Sequence, residues 1–123
     1  MSIEQVVATY AAAWDEPGRE KRKALLEASI TADAVYVDPT VETRGIPALM
    51  DHIDTVAARY PGSCLQLTSA VDVHHGLGRF GWRKVLADGT ELPECIDIVE
   101  LADDGKLARV IGFFGPLRPR TGP

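Results

Sequence analysis

The hydrophobic pattern changes period near residue 60, and that change restricts the chain to few architectures. Before it, apolar residues recur every three or four positions: Ile3, Val6, Val7, Tyr10 and Trp14 in one run, Leu49, Met50, Ile53, Val56 and Ala57 in another. Such spacing marks helices buried along one face. After it, four stretches alternate in the manner of strands: "CLQLTSAVDV", "LGRFGWRKVL", "ELPECIDIVEL" and "KLARVIGFFG", joined by "HHG", "ADG" and "ADDG". The Asp88-Gly89 and Asp104-Gly105 pairs are hairpin turn signals. Helices followed by a meander specify an α+β fold, three N-terminal helices packed on a curved antiparallel sheet. That arrangement encloses a cone-shaped space, whose mouth is where a ligand pocket belongs.

Local signals set the boundaries. Ser2 and Gln5 form a capping box for the first helix, which "DEPG" breaks. A second helix is expected from Arg19 to Ser29, with Leu25 and Leu26 on its apolar side. "ADAVYVDP" is a short strand ended by Pro39, "TVETRG" a loop, and Ile46 to Tyr60 a third helix with Pro47 in its first turn. Residues 1–116 make one domain, and the Pro-rich 117–123 a flexible tail.

Charge and composition exclude several classes. A net charge of −5 opposes binding to a phosphate backbone, so no nucleic acid is expected. No apolar run approaches the roughly 20 residues that span a bilayer, and "MSIEQVVATY" lacks the pattern of a secretory signal. No membrane and a cytoplasmic location are the expectation. Cys64 and Cys95 sit in predicted strands at no metal-ligand spacing, and read as buried free thiols.

Within "ELPECIDIVEL", alternation puts Pro93, Cys95, Asp97, Val99 and Leu101 on one face, with Asp97 its only charged member. A carboxyl among apolar neighbours must be paired, hydrogen-bonded or protonated. Tyr10 on the first helix and Asp38 at the end of the first strand are the other polar groups that could reach the same space. Their chemistry is complementary: one carboxylate abstracts a proton beside a carbonyl, while a phenol and a neutral carboxylic acid donate hydrogen bonds to the enolate. Plainer readings exist for each. Tyr10 can be a core aromatic, Asp38 before Pro39 a turn initiator, and Asp97 a structural hydrogen-bonding group.

The order of elements resembles the NTF2-like cone, a cystatin-like α+β fold, in its SnoaL-like branch. "VVATY", "VDP" and "IDIVEL" resemble the ketosteroid isomerase segments that carry the oxyanion-hole tyrosine, the catalytic base and the protonated aspartic acid. "GFFG" resembles that family's last strand. The resemblance implies a cofactor-free isomerase with Asp38 as base and Tyr10 and Asp97 as oxyanion donors, a division of labour that is a known worked example. It implies a small apolar carbonyl compound as substrate. Two supporting tyrosines of that family are absent, with Ile53 and Ile30 in the aligned positions, and Tyr36 shares a strand face with Asp38. A polyketide-cyclase reaction of the SnoaL type, and a non-catalytic module binding a hydrophobic ligand, are the alternatives.

Trp14, Tyr36, Trp82 and Phe114 are the candidate substrate-binding aromatics, although Phe113 competes with Phe114, and Trp82 and Phe80 can equally serve the core. His74 and His75, with His52 elsewhere, raise a metal site; adjacent strand residues point to opposite faces, so none is expected. Arg44 and Arg83 raise an Asp–Arg–Asp arrangement resembling limonene-type epoxide hydrolases. "GLGRFG" lies in a strand rather than a strand-to-helix turn, so it is no phosphate loop. Ile96 and Ile98 leave an apolar outer sheet face, and a homodimer is the simplest cover.

Overall fold

In the computed structural model, which describes residues 1–123, the capping box forms as expected. Ser2 Oγ accepts the Gln5 amide at 3.2 Å, and Gln5 Oε1 accepts the Ser2 amide at 2.8 Å, opening α1 (Ile3–Asp15). Helix α2 (Arg19–Ser29) and helix α3 (Ile46–Arg59, with Pro47 in its first turn) follow. Arg22, only 4% exposed, ties the three together: its guanidinium donates to the Glu16 carbonyl at the end of α1 and pairs with Asp54 on α3. All three helices lie on one face of the sheet, over a core that includes Val7, Leu26, Ile30, Ile53, Val99 and Leu107. Ala57, expected inward, is exposed, and Val56 is half-buried.

The strands are β1 (Ile30–Asp38), β2 (Val41–Arg44), β3 (Cys64–Leu67), β4 (Asp72–His74), β5 (Leu77–Val85), β6 (Cys95–Leu101) and β7 (Leu107–Phe113). They form one sheet in the order β2-β1-β7-β6-β5-β3, with β4 also on β5. The fold class holds, with one pairing different: β1 runs parallel to β7, so the sheet is mixed. The expected loop "TVETRG" contains β2, because the turn at Pro39–Thr40 returns the chain along β1, pairing Asp38 with Val41. The expected strand "CLQLTSAVDV" breaks into β3 and β4. Ser69 Oγ accepts the Gly81 amide at 2.7 Å, and Thr68 Oγ1 lies 2.6 Å from where a Gly81 Cβ would stand, so the kink folds onto a glycine. β6 begins at Cys95 rather than Glu91, after Pro93, which has no amide to donate.

Both Asp-Gly turns are built alike. The glycines have positive φ (89° and 84°), and each aspartate's Oδ1 accepts the amide two residues on, Thr90 at 2.9 Å and Lys106 at 3.0 Å. Both cysteines are free but neither is buried: Cys64 is exposed because β3 is an edge strand, and Cys95 is half-buried. On the outer face Ile96, Ile98 and Phe113 are 41%, 36% and 57% exposed. No helix is long and apolar enough to cross a membrane.

Candidate active site

Between α1, α3 and the inner face of the sheet lies a cavity of about 630 Å³. Its floor is formed where three neighbouring strands meet. β7 lies between β1 and β6, and its Gly112 stands opposite Asp97. A Cβ at Gly112 would sit 3.0 Å from Asp97 Oδ1 and 3.4 Å from Asp38 Cβ. The missing side chain is therefore what lets two carboxyls share the floor. Tyr10, Asp38 and Asp97 all line this one cavity, at 2%, 9% and 5% exposure.

The two carboxyls are solvated by different things. Asp38 Oδ2 accepts the Tyr36 hydroxyl at 2.5 Å, and Oδ1 accepts both the amide (2.7 Å) and the hydroxyl (2.6 Å) of Thr40. It thus acts as a turn former and a cavity residue at once. Burial pushes its pKa up, but the hydrogen bonds from Thr40 and Tyr36, and the nearby His52, outweigh burial and hold it below the usual carboxylate range. Asp97 has one protein donor, Trp82 Nε1 at 2.9 Å. Burial dominates there and, with the charge on Asp38 added, pushes its pKa up to about 7 despite the Trp82 bond. Burial also raises the Tyr10 and Tyr36 phenols, which stay protonated donors.

Three cavity-lining side chains carry a buried polar atom without a protein partner: Tyr10 Oη, Trp14 Nε1 and His52 Nε2. Such groups are rare in folded proteins unless something else satisfies them. His52 Nε2 lies 3.6 Å from Asp38 Oδ2, and its ring packs against Trp14 and Tyr36 at centroid distances of 5.9 and 5.6 Å. The four expected aromatics, Trp14, Tyr36, Trp82 and Phe114, all line the cavity. Phe114 meets Trp82 edge-on at 6.2 Å, whereas Phe113 points outward and Phe80 is buried in the core.

Several residues escaped the sequence reading. α3 presents His52, Thr55 and Arg59 to the cavity beside the expected Val56, and Lys84 follows Trp82 on the inner side of β5. His52, not Ile53, faces Asp38; Ile53 is core. Arg83 is bound to Gln66 and Glu91, and neither it nor Arg44 lines the cavity, so the Asp–Arg–Asp arrangement is not built. His74 and His75 do not point apart: β4 ends at His74, His75 takes a φ of 49°, and the two Nδ1 atoms lie 3.1 Å apart. No group of three or more His, Cys, Asp or Glu residues is placed to hold a metal ion.

No family model matches the sequence, and no curated protein matches it. Solved structures do. An isomerase assignment of the SnoaL-like family from Agrobacterium tumefaciens strain C58 superposes with a TM-score of 0.84 at 30% identity, covering 92% of this chain and 97% of that one. A protein of Sinorhizobium meliloti assigned as a polyketide cyclase gives 0.69 at 14% identity, over 88% and 93% of the two chains. A ketosteroid isomerase-like fold from Catenulispora acidiphila, in complex with trimethylamine, gives 0.70 at 13% identity, over 89% and 85%. The last two speak for the fold alone. The first is similar enough, over nearly the whole of both chains, to fix the relationship: this chain belongs to the SnoaL-like family.

Proposed function

We propose that this protein is a carboxyl-based enzyme that moves a proton through an enolate on an apolar carbonyl compound. One observation carries the reading: two carboxyls share one cavity in unlike surroundings, Asp38 accepting three hydrogen bonds that favour its ionised form and Asp97 buried with a single donor, which favours its neutral form. Asp38 removes a proton from the carbon beside the carbonyl. The electron pair moves onto oxygen, where Tyr10 Oη and the Asp97 acid proton donate hydrogen bonds. Asp38 then returns its proton to a different carbon, which completes an isomerisation without any net redox change. Tyr10 suits its part because its hydroxyl proton has no acceptor in the protein, the neighbouring Trp14 indole being a donor only.

A second reading of the same site is a cyclase in which Asp97 is the acid–base group. What favours it is Asp97's pKa of about 7, from which a carboxyl both gives and takes protons near neutrality, while Asp38 is already occupied by three donors. The test is an ultraviolet assay for conversion of a β,γ-unsaturated ketosteroid to its conjugated isomer, with Asp38→Asn and Asp97→Asn alongside. Turnover abolished chiefly by Asp38→Asn supports the first reading. Turnover that survives Asp38→Asn but not Asp97→Asn supports the second chemistry. Ligand binding without turnover leaves a binding module. We also propose that the apolar outer face of Ile96, Ile98 and Phe113 pairs with a second copy; light scattering that gives a monomer would dismiss it.

A further inference from the structure

The cavity is not uniform along its length. Its floor holds Tyr10, Asp38 and Asp97, all buried, whereas Arg59, at the last residue of α3, is exposed and Lys84, near the end of β5, is half-buried. Both cations line the same cavity, and both lie over the ring of Tyr60, with Arg59 Cζ 5.5 Å and Lys84 Nζ 5.7 Å from its centroid. An aromatic face holds cations in place without neutralising them. Neither takes part in any of the ion pairs of the structure. The carboxylate whose charge acts on Lys84 is Asp15, which accepts the Leu65 amide at 2.9 Å and forms no ion pair with the lysine. In a chain of net charge −5, two unpaired cations facing one cavity are a local exception.

The same cavity is lined by apolar Val56, Leu65, Leu92, Pro93 and Phe114. His52 and Arg59 lie on one face of α3 about two turns apart, roughly 10 Å at 1.5 Å per residue. From the unpaired cations at one end and the proton-transfer groups at the other, we infer that the substrate is a carbonyl compound carrying an anionic group about 10 Å from its reacting carbon. The inference rests on the proton-transfer reading for its carbonyl half; Arg59 and Lys84, braced by Tyr60, supply the anionic half.

The experiment uses an acetylbiphenyl carboxylic acid, whose ketone and acid are held apart by a rigid two-ring spacer of that length, and its methyl ester. Binding is read by tryptophan fluorescence at low ionic strength, since both tryptophans of the chain, Trp14 and Trp82, line the cavity. The acid should bind on the order of tenfold more tightly than the ester. Added salt should shrink that preference, and Arg59→Gln combined with Lys84→Gln should remove it. Equal binding of acid and ester, no binding of either, or a preference that persists in the double variant overturns the inference. Deuterium exchange at the acetyl methyl of the ester reads the floor separately. Exchange without acid preference overturns the anionic half alone. Acid preference without exchange overturns the floor chemistry and, with it, the carbonyl half.

Discussion

The two sides of the cavity floor start from the same side chain and reach opposite results. On the β1–β2 side, Asp38 sits at a turn rich in donors, and three short hydrogen bonds stand in for water. On the β5–β6 side, Asp97 sits between apolar strand neighbours with one indole as donor. Donors and depth together separate them: both are nearly inaccessible at the surface, 9% and 5% exposed, but Asp97 lies deeper within the protein and has one donor where Asp38 has three. A fold can therefore set the protonation state of a carboxyl by where it places turns.

The largest effect comes from removing the ionised partner. Asp38→Asn should slow proton exchange by about 10²- to 10⁴-fold, the usual contribution of general acid–base catalysis, while ligand affinity measured by fluorescence stays close to wild type. A smaller loss would shift the base to Asp97.

Next comes stability against pH, where the two aspartates pull in opposite directions. Asp97 titrates near 3.8 when unfolded and about 7 when folded. Its protonated form is favoured by the fold, so this contribution is complete below pH 3.8 and lost as pH rises toward 7. The full amount is on the order of 4 kcal/mol. Asp38, depressed in the fold, contributes above its unfolded value and loses that contribution as pH falls through its folded value. Urea unfolding of wild type and Asp97→Asn from pH 4 to 8 should show the variant with the flatter curve, so that its stability relative to wild type improves with pH. Parallel curves would mean that Asp97 is ionised throughout.

Gly112→Ala is expected to cost about 1–3 kcal/mol, as for overpacking in general. The added methyl would press on Asp97 Oδ1 and on Asp38 Cβ, and it would impair proton transfer beyond what the stability loss explains. The smallest changes should come from the donors. Trp82→Phe removes the bond that lowers the Asp97 pKa, so the Asp97 titration moves upward. Tyr36→Phe removes one that lowers Asp38, so the acid limb of the pH–rate profile also moves upward. Infrared detection of the two carboxyls across a pH series would follow both shifts, and a downward shift in either variant would contradict the account.

Much of this was legible in the sequence because it is local. A charged residue in an alternating apolar strand exposes itself, which is how Asp97 and its face could be read. The Asp38–Pro39 pair marked a turn, and the same side chain both fastens that turn and lines the cavity. The partner of β1 was not legible, because periodicity states that a strand has two faces and says nothing of which strand lies beside it. His52 was missed for a related reason. It is adjacent to Ile53 on α3, and the cavity opens at the border of the apolar stripe, where 100° of helix rotation separates core from site. Arg59 and Lys84 carry no local signal that sets them apart from other charged residues of the chain. Only the folded positions bring them to the same tyrosine ring.

The double use of Asp38 has a kinetic consequence. The carboxylate that would receive the substrate's proton is also the acceptor that fastens the Thr40 amide and hydroxyl at the β1–β2 turn. If Asp38 is that base, its protonated form accepts more weakly, and the turn would slacken for the lifetime of the enolate and tighten when the proton departs. Opening of one hairpin would then keep time with the chemistry, and amide exchange at Thr40 would rise with turnover rather than with temperature alone.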